Sequence, residues 1–334
     1  MKKQLKITFV DIVDKIDLKT YFITRALLEK YDLKIDNNNP DLAICDMWGL
    51  RHINVGVPKI YFSLETYIFA NDFYDIYIGG CDLGAGKIQW NSIVEEMYFP
   101  QIRNNKYIGN VKKYRNIKKT KFCAFLYKNY HARERIQFCK KLMKYKFVDC
   151  LGRVLNNTKL DKTETRYVSD WQEQQINIYS DYKFVIAFEN KSLNGYVSEK
   201  ISAPLYAGAI PIYWGAPDVK DYINPECFIN VNDFDSFEDC IEHVKKVDND
   251  DELYQKYINA KPILASSKLH NMTYDKLKKF LLPNVEKILS SNYKPIGKLS
   301  GYKRLKAIWL KRYWKYKQSV LYRLDILLEK IGIK

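Results

Sequence analysis

The sequence predicts an α/β protein in which helices cover doubly wound, parallel sheets, arranged as two domains. Its 334 residues are too many for one compact core, and 47% of them are hydrophobic, so two cores can form. Short apolar runs alternate along the chain with helix-like stretches, a pattern that favours parallel strands joined by crossover helices. We find no internal repeat of fixed period.

The first elements form one α/β unit. Gln4–Val10 is a strand candidate, Thr20–Tyr31 has a helical pattern, and Leu42–Cys45 is a short apolar strand candidate. Two further strands are predicted at 58–62 and 75–78. Strands and helical stretches in this order indicate a parallel sheet.

A basic stretch and a second α/β unit follow. Arg103–Lys121 contains no acidic residue and is predicted to link the two halves. The predicted elements of the second unit are the strands Lys121–Tyr127, Phe147–Val148, Tyr182–Phe188, Ala209–Trp214 and Cys227–Val231 and the helices His131–Tyr145, Ser198–Ala207 and Phe237–Val247.

The cysteine and histidine spacings exclude two classes of site. None of the seven cysteines forms a C-x-x-C pair, and the four histidines lack metal-ligand spacing. We therefore expect no disulfide framework and no metal, and a reducing cytosol fits best. The apolar run Ile7–Val10 is too short for a signal peptide, and no run approaches the roughly 20 apolar residues that cross a bilayer. We expect a cytoplasmic protein, peripheral on the inner face of the cytoplasmic membrane.

The positive charge is concentrated at the end of the chain. The formal net charge is +16, and residues 301–334 hold ten basic residues against two acidic ones, a net +8. From Lys303 to Ile331 the pattern is helical, and one face carries Leu305, Trp309 and Tyr313. Tryptophan beside basic side chains on such a helix is typical of a peripheral membrane anchor. We therefore predict that residues 301–331 bind an anionic membrane surface. The alternative is a terminal helix that packs on the protein with a solvated basic face.

One segment carries most of the chemical information. The buried strand Tyr182–Phe188 leads directly into Glu189 and Asn190, and a later helix has Glu199 and Lys200 in its first turn. In open α/β sheets, ligands bind at the carboxyl ends of strands, close to helix N-termini. A lysine is unfavourable at the positive end of a helix, which favours a bound anion there. The segment predicts a nucleotide or nucleotide-sugar site.

The same segment resembles a known family. The run FEN…GYVSEKI…AGAIPIYWGAPDV…INPECFINV resembles the donor-binding signature of the α-1,3/4-fucosyltransferases, most closely the bacterial members that act on lipopolysaccharide. Ser198 stands where the family pattern usually has threonine, which keeps the hydroxyl. The resemblance implies the GT-B fold, in which two Rossmann-like domains face a cleft. With that fold we expect an acceptor domain at 1–118 and a GDP-fucose domain at 119–295. The basic helical tail at 296–334 is predicted from its charge and helical pattern and contributes nothing to the resemblance.

The resemblance also implies roles for individual donor-site residues. Lys200 and Arg135 would contact the diphosphate, with Arg133 as the substitute for Arg135. Glu199 would hold sugar or ribose hydroxyls. Tyr196 and Asn190 would line the donor pocket, together with Glu189 at the strand end. GDP-fucose would be the donor substrate, with no cofactor and no metal needed for the chemistry.

The predicted catalytic base lies in the first half. The segment KIYFSLETYIFANDFYDIYIGG resembles the family segment in which a strand ends in a glutamate, and this makes Glu65 the candidate base. The family often has G-E-N there, whereas this chain has Leu64, Glu65 and Thr66. Glu65 could instead cap a helix or pair with a surface lysine. The family implies an inverting reaction with an N-acetyllactosamine acceptor and a Lewis X-type product.

Other interpretations stay open from the sequence. A transferase for another GDP-sugar, an inactive relative, or a basic protein that binds nucleic acid or membrane are the alternatives. No RRM, KH or helix-turn-helix signature appears, so we expect no nucleic-acid partner. Asp233-Phe234-Asp235 mimics a D-x-D metal motif but is predicted to form a turn. Gly84-Ala85-Gly86-Lys87 lacks full phosphate-loop spacing. The acceptor, the 1,3, 1,4 or 1,2 linkage and the oligomeric state are not set by the sequence.

Overall fold

The computed structural model describes residues 2–12, 16–65, 73–81, 88–90, 117–130, 132–160 and 171–313. Their contacts separate them into two units: the described residues before 92 and after 270 form the first, and those between form the second.

The first unit contains a six-stranded parallel sheet. Its strands are β1 (Lys3–Val10), β2 (Tyr31–Ile35), β3 (Leu42–Cys45), β4 (Lys59–Ser63), β5 (Ile76–Gly79) and β6 (Ile88–Gln89), with helix α1 (Phe22–Leu28) between β1 and β2. The strand order is β2-β1-β3-β4-β5-β6, and every pair is parallel. Every residue of β3, β4 and β5 is buried, as expected of strands covered on both faces.

The second unit contains a five-stranded parallel sheet. Its strands are β7 (Lys121–Phe125), β8 (Val148–Cys150), β9 (Tyr182–Phe188), β10 (Ile210–Trp214) and β11 (Ile229–Asn230), and its helices are α2 (Arg133–Leu142), α3 (Trp171–Tyr179), α4 (Glu199–Tyr206), α5 (Phe237–Asn249) and α6 (Asp251–Asn259). The strand order is β11-β10-β9-β7-β8, again all parallel.

Each sheet has a point at which the direction of winding reverses. In the first sheet the chain places β2 on one side of β1 and β3 on the other, so the reversal lies between β1 and β3. In the second sheet β8 and β9 flank β7, so the reversal lies between β7 and β9. Ligands of open α/β sheets bind at such switch points, outside the carboxyl ends of the strands.

The predicted pair of Rossmann-like, parallel α/β units is confirmed, although the bounds of the units differ from the prediction. The predicted second domain, 119–295, includes residues 274–288. In the structure these residues form helix α7 (Tyr274–Ile288), which packs against α1 of the first unit. The tail also joins the first unit. Its described part, 301–313, is helical and is called α8, while 314–331 of the predicted tail helix lies outside the described residues.

The predicted helix Thr20–Tyr31 is shorter in the structure. Helix α1 ends at Leu28, and Tyr31 already begins strand β2. In β2 only Tyr31 is buried, because the strand lies at the edge of the sheet. An edge strand with mostly polar side chains lacks the apolar signature on which the prediction depended. The segment is a strand because its main chain pairs with that of β1.

Candidate active site

The centre of the second unit's site is a buried carboxylate. Glu189 directly follows β9 and is completely buried. Its Oε1 accepts hydrogen bonds of 2.8 Å from the backbone N–H and the hydroxyl of Ser198. Ser198 is the N-cap of α4, so the carboxylate lies at the positive end of that helix. The carboxylate thereby fixes the start of the helix whose first turn carries Glu199 and Lys200.

Lys200 completes this arrangement. Its Nζ lies 3.3 Å from Oε2 of Glu189 and 3.3 Å from Oε1 of Glu199, and it contacts the Ser198 hydroxyl at 3.1 Å. Burial raises the pKa of Glu189 above its ordinary value, and the Lys200 charge and the Ser198 hydrogen bonds oppose that rise only in part. The structure thus brings Glu189, Glu199 and Lys200 together, as the sequence predicted.

Arg135 of α2 supports the loop after β9. It is 1% exposed, and its Nη2 donates to the Glu189 carbonyl and to Oδ1 of Asn190, each at 2.8 Å. Its guanidinium carbon lies 4.0 Å from the ring centroid of Tyr127. The Arg135 Nε is buried, and it has no hydrogen-bond partner among the residues that the structure describes. Arg135 therefore joins α2, β9 and Asn190 at the switch point.

Tyr127 is a site residue that the sequence analysis missed. Strand β7 ends at Phe125, and the Tyr127 hydroxyl accepts from the Phe188 N–H at 2.8 Å and donates to the Ile186 carbonyl at 2.9 Å. A side-chain hydroxyl thus replaces the main-chain ladder where β7 and β9 diverge. No local sequence pattern predicts that a tyrosine hydroxyl will bridge two strands in this way.

Close packing shapes the other wall of the site. Gly195 has φ +74°, and its N–H donates to Oδ1 of Asp218 at 2.8 Å. Tyr196 is 3% exposed, so its ring is packed in the interior here. At Gly215 an added Cβ would lie 2.5 Å from Cγ of Glu189. Only glycine allows β10 to end this close to the buried carboxylate.

A cavity of about 450 Å³ opens at the carboxyl ends of β7 and β8. It is lined by Lys128, Tyr130, Leu151, Gly152, Arg153, Asn156 and Leu160. Its volume lies in the range of small-molecule sites. Asn156 Nδ2 donates to the Gly152 carbonyl at 2.9 Å, which closes the loop after β8. None of these lining residues is among the site residues predicted from the sequence.

Glu65 lies in the first unit, two residues beyond the end of β4. Its N–H donates to the Ser63 hydroxyl at 3.3 Å, and that hydroxyl lies 3.3 Å from the Met47 sulfur. Glu65 is half-buried. It therefore occupies the carboxyl edge of the first sheet, the edge at which ligands bind in this class of fold.

Helix α8 packs on the first unit with one face and exposes another. Ala307 is completely buried in a cluster with Met47 and Phe73, and Lys311 Nζ donates to the Met47 carbonyl. On the other face Leu305, Trp309 and Tyr313 are 67%, 58% and 47% exposed, respectively. Among the residues described, no helix combines the length and apolar character that crossing a bilayer needs.

The two discarded motifs have different outcomes. Asp233 ends a 3₁₀ turn and pairs with Lys220 at 2.7 Å, in agreement with the predicted turn. Gly84–Lys87 lies outside the described residues. All seven cysteines are free and buried. Within the described ranges, no three His, Cys, Asp or Glu side chains are placed to share a metal ion.

Comparison with known proteins gives a consistent result. A protein of Acanthamoeba polyphaga mimivirus, provisionally named as fucosyltransferase R654, is 30% identical over 309 residues, 87% of this chain and 48% of that protein. The α-(1,3)-fucosyltransferase B of Drosophila melanogaster is 34% identical over 146 residues, 41% of this chain and 33% of its own. The chain thus spans about half or less of the length of these curated relatives.

A solved structure shares the fold. The crystal structure of an α1,3-fucosyltransferase with GDP-fucose superposes with a TM-score of 0.67 and 21% sequence identity, covering 88% of this chain and 93% of that one. The sequence profile of glycosyltransferase family 10 (fucosyltransferase), C-terminal part, matches residues 116–293. That match includes every donor-site residue described above. The chain therefore belongs to glycosyltransferase family 10, the fucosyltransferases.

Proposed function

We propose that this chain transfers L-fucose from GDP-fucose to a hydroxyl of an N-acetyllactosamine-type glycan, with inversion at the anomeric carbon and an α-1,3 linkage. The observation that carries the proposal is the convergence of Lys200, Arg135 and the N-terminus of α4 at the switch point of the second sheet. Cations and helix amides at such a point suit a diphosphate. The structural neighbour that holds GDP-fucose supports this choice of donor.

The donor would occupy the carboxyl edge of the second sheet. Lys200 and the N–H groups of α4 would hold the diphosphate, and Arg135 would act directly or by fixing Asn190. The carboxylate of Glu199, 26% exposed as a side chain, can accept hydrogen bonds from sugar or ribose hydroxyls. The cavity of about 450 Å³ beside β7 and β8 has room for the nucleoside. Its lining adds Lys128 and Arg153 as further donors.

The reaction needs a base and a stabilised leaving group. Glu65 would remove the proton of the acceptor hydroxyl as its oxygen attacks the anomeric carbon of fucose. The bond from that carbon to the β-phosphate oxygen breaks on the opposite side, and GDP leaves with the electron pair. The transition state has oxocarbenium character. Lys200 and Arg135 would stabilise the charge that grows on GDP, so we propose that no metal is required.

The acceptor has a second candidate. Residues of this chain are 36% identical, over 129 positions, to the GDP-fucose protein O-fucosyltransferase 3 of Xenopus laevis. A protein hydroxyl could replace the glycan hydroxyl without any change to the donor chemistry. Glycan and peptide acceptors therefore have to be tested side by side.

We also propose a peripheral membrane location. The exposed stripe of α8, Leu305, Trp309 and Tyr313, is accompanied by the basic residues of 301–334. Exposed aromatic and apolar side chains with neighbouring positive charge suit the interface of an anionic bilayer. Such a surface would hold the enzyme near a lipid-linked acceptor such as lipopolysaccharide.

The test measures GDP release from GDP-fucose with N-acetyllactosamine or a hydroxyl-bearing peptide, with and without EDTA. Acceptor-dependent release that survives EDTA and falls by about 100-fold or more in Glu65→Gln supports the proposal. Glu242→Gln, an exposed glutamate on α5, is the matched control. NMR of the product determines the linkage and the anomeric configuration. Release from GDP-mannose but not from GDP-fucose would refute the donor assignment.

A further inference from the structure

The first sheet has its own switch point, between β1 and β3. Asp11 directly follows β1, and the loop 46–51 directly follows β3. These two segments meet through the Asp11 carboxylate, which accepts from Arg51 Nε at 3.1 Å and from the His52 N–H at 2.9 Å. The crevice in which α/β sheets bind ligands is therefore bordered here by Asp11 and the loop 46–51.

Asp11 is held in a conformation that L-residues rarely adopt. Its φ is +61°, and the residue is 5% exposed. The Asp11 carboxylate also contacts His52 Nδ1 at 2.7 Å, and His52 Nε2 lies 3.0 Å from the Tyr74 hydroxyl. Aspartate adopts left-handed backbone more readily than most residues, and unusual backbone that is fixed by several buried partners clusters at functional sites.

The loop 46–51 packs closely against Asp11. A Cβ at Gly49 would lie 2.1 Å from Asp11 Oδ1, so only glycine permits the approach. The neighbouring side chains project into solvent: Trp48 is 48% exposed, and the Arg51 side chain is 77% exposed. The bond from Arg51 Nε to Asp11 orients the plane of the guanidinium. No described residue accepts a hydrogen bond from its two terminal amino groups.

The loop also adjoins the predicted base. Met47, next to Trp48, has its sulfur 3.3 Å from the Ser63 hydroxyl, and that hydroxyl accepts from the Glu65 N–H at 3.3 Å. These contacts place the loop 46–51 and Glu65 at the same carboxyl edge of the first sheet.

We propose that Trp48 and Arg51 form a subsite for a pyranose ring of the acceptor, adjacent to the sugar that receives fucose. This proposal rests on the proposed function. The Trp48 ring stacks on the apolar face of the pyranose, and the terminal amino groups of Arg51 donate to its oxygen atoms. Asp11 is a positioning residue that orients Arg51. A single exposed tryptophan is ordinary, but Trp48 lies at the switch point of the sheet, three residues from a guanidinium that Asp11 orients.

The test compares the wild type with Trp48→Ala and Arg51→Lys. Phe147→Ala is the matched control, because Phe147 is 62% exposed and precedes β8, at the amino edge of the other sheet. Three quantities are measured: the acceptor KM, the hydrolysis of GDP-fucose by water without acceptor, and the binding of N-acetyllactosamine by ligand-observed NMR with GDP present.

We expect the acceptor KM to rise about tenfold in Trp48→Ala. A smaller rise is expected in Arg51→Lys, because lysine keeps the charge but lacks the second donor pair. The KM for GDP-fucose and the acceptor-independent hydrolysis should not change. Acceptor kinetics and NMR binding equal to the wild type in both variants would overturn the subsite. Loss of hydrolysis in proportion to transfer would also overturn it, since that indicates a structural role.

The two proposals fail in distinguishable ways. If the wild type binds the disaccharide but releases no GDP from GDP-fucose, the proposed function fails, and loss of NMR binding in Trp48→Ala still supports the subsite. If the wild type transfers fucose and the two variants match it, only the subsite fails. If the wild type turns over GDP-fucose yet uses only peptide acceptors and binds no disaccharide, the pyranose subsite is refuted.

Discussion

The ammonium nitrogen of Lys200 lies 3.3 Å from the completely buried carboxylate of Glu189. This pair explains how a lysine is tolerated in the first turn of a helix, where the helix dipole disfavours a cation. From the sequence alone, the same lysine indicates a bound anion. Because Glu189 already compensates the charge, the position alone does not require an anion. The ion pair with Glu189 does hold the Lys200 ammonium group in position before a donor binds.

The stability of the protein should depend on the ionisation of Glu189. Burial raises the pKa of this carboxyl above its ordinary value of 4.5, so the folded state binds the proton more tightly than the unfolded state. The resulting stabilisation is complete below about pH 4.5 and is lost as the pH rises through the folded pKa. Relative to Glu189→Gln, the wild type should therefore become less stable with rising pH. Urea unfolding across that range measures this, and a pH-independent difference would contradict it.

Removal of Lys200 should have two separable effects. Lys200→Met leaves Glu189 buried without its cation, which should cost about 3–5 kcal/mol of unfolding free energy. The double variant Glu189→Gln/Lys200→Met should recover much of that stability. It should not recover the affinity for GDP, because the phosphate-binding cation is still absent. Calorimetric titration with GDP distinguishes the two effects, and full recovery of GDP affinity would assign Lys200 a purely structural role.

Arg135 and Arg133 can be separated by matched substitutions. Arg135→Lys loses the two hydrogen bonds of 2.8 Å to the Glu189 carbonyl and to Asn190, and turnover should fall by about 100-fold. Arg133→Lys should have a much smaller effect, because Arg135 is the arginine that reaches the end of β9. Steady-state rates for the two variants decide the matter, and the reverse order would transfer the assignment to Arg133.

Gly215 should be intolerant of any side chain. In Gly215→Ala the new Cβ would meet Cγ of Glu189 and the hydroxyl of Tyr213, each at 2.5 Å, so the buried carboxylate has to move. We expect weaker GDP binding and a lower Tm. Gly56→Ala is the control, since its Cβ would meet only Cε of Lys298, at 3.7 Å. Equal GDP affinity and equal Tm in the two variants would show that the site accommodates the added methyl group.

The exposed stripe of α8 should control membrane binding without controlling catalysis. Replacement of Leu305, Trp309 and Tyr313 by serine should reduce co-sedimentation with vesicles that contain phosphatidylserine. Activity on a soluble acceptor should persist, because Ala307 and Lys311 still dock the helix. Vesicles of phosphatidylcholine alone are the control for charge. Undiminished binding of the triple variant to anionic vesicles would refute this surface.

The structure also changes the design of a truncation. From the sequence alone, a cut near residue 300 is expected to abolish vesicle binding and to leave activity on soluble acceptors intact. The structure shows that such a cut removes the completely buried Ala307. Loss of buried packing destabilises, so we expect that truncated protein to have a lower Tm. A cut after residue 313 keeps the docked helix.

The second unit's site was largely predictable because its residues are close together in the sequence. Glu189, Asn190, Glu199 and Lys200 follow or begin regular elements, so their meeting at one sheet edge follows from topology. The residues that complete the site come from elsewhere. Tyr127 reaches it from the segment after β7, and no local pattern predicts that. Arg135 reaches it from α2, and only the family resemblance predicted its place in the site.

Two of the helices that were not predicted, α6 and α7, begin at residues that favour a helix start. Asp250 accepts from the Leu253 N–H as the N-cap of α6, and Thr273 accepts from the Lys276 N–H as the N-cap of α7. Both are residue types that favour that position. The assignment of α7 to the first unit was not predictable, because its partner α1 is separated from it by most of the chain. The packing of Ala307 was missed since an alanine adds little to an apolar pattern.

The Tyr127 hydroxyl also bears on how a protein of this kind could diversify. It satisfies the Phe188 N–H and the Ile186 carbonyl at the place where the two strands part, so one side-chain oxygen bridges β9 to the segment after β7. Tyr127→Phe would leave both strands intact and free those two backbone groups. An unsatisfied buried N–H costs about 1–3 kcal/mol, so selection on this family member is expected to keep a hydroxyl at this position even though it touches no substrate group in the proposed reaction.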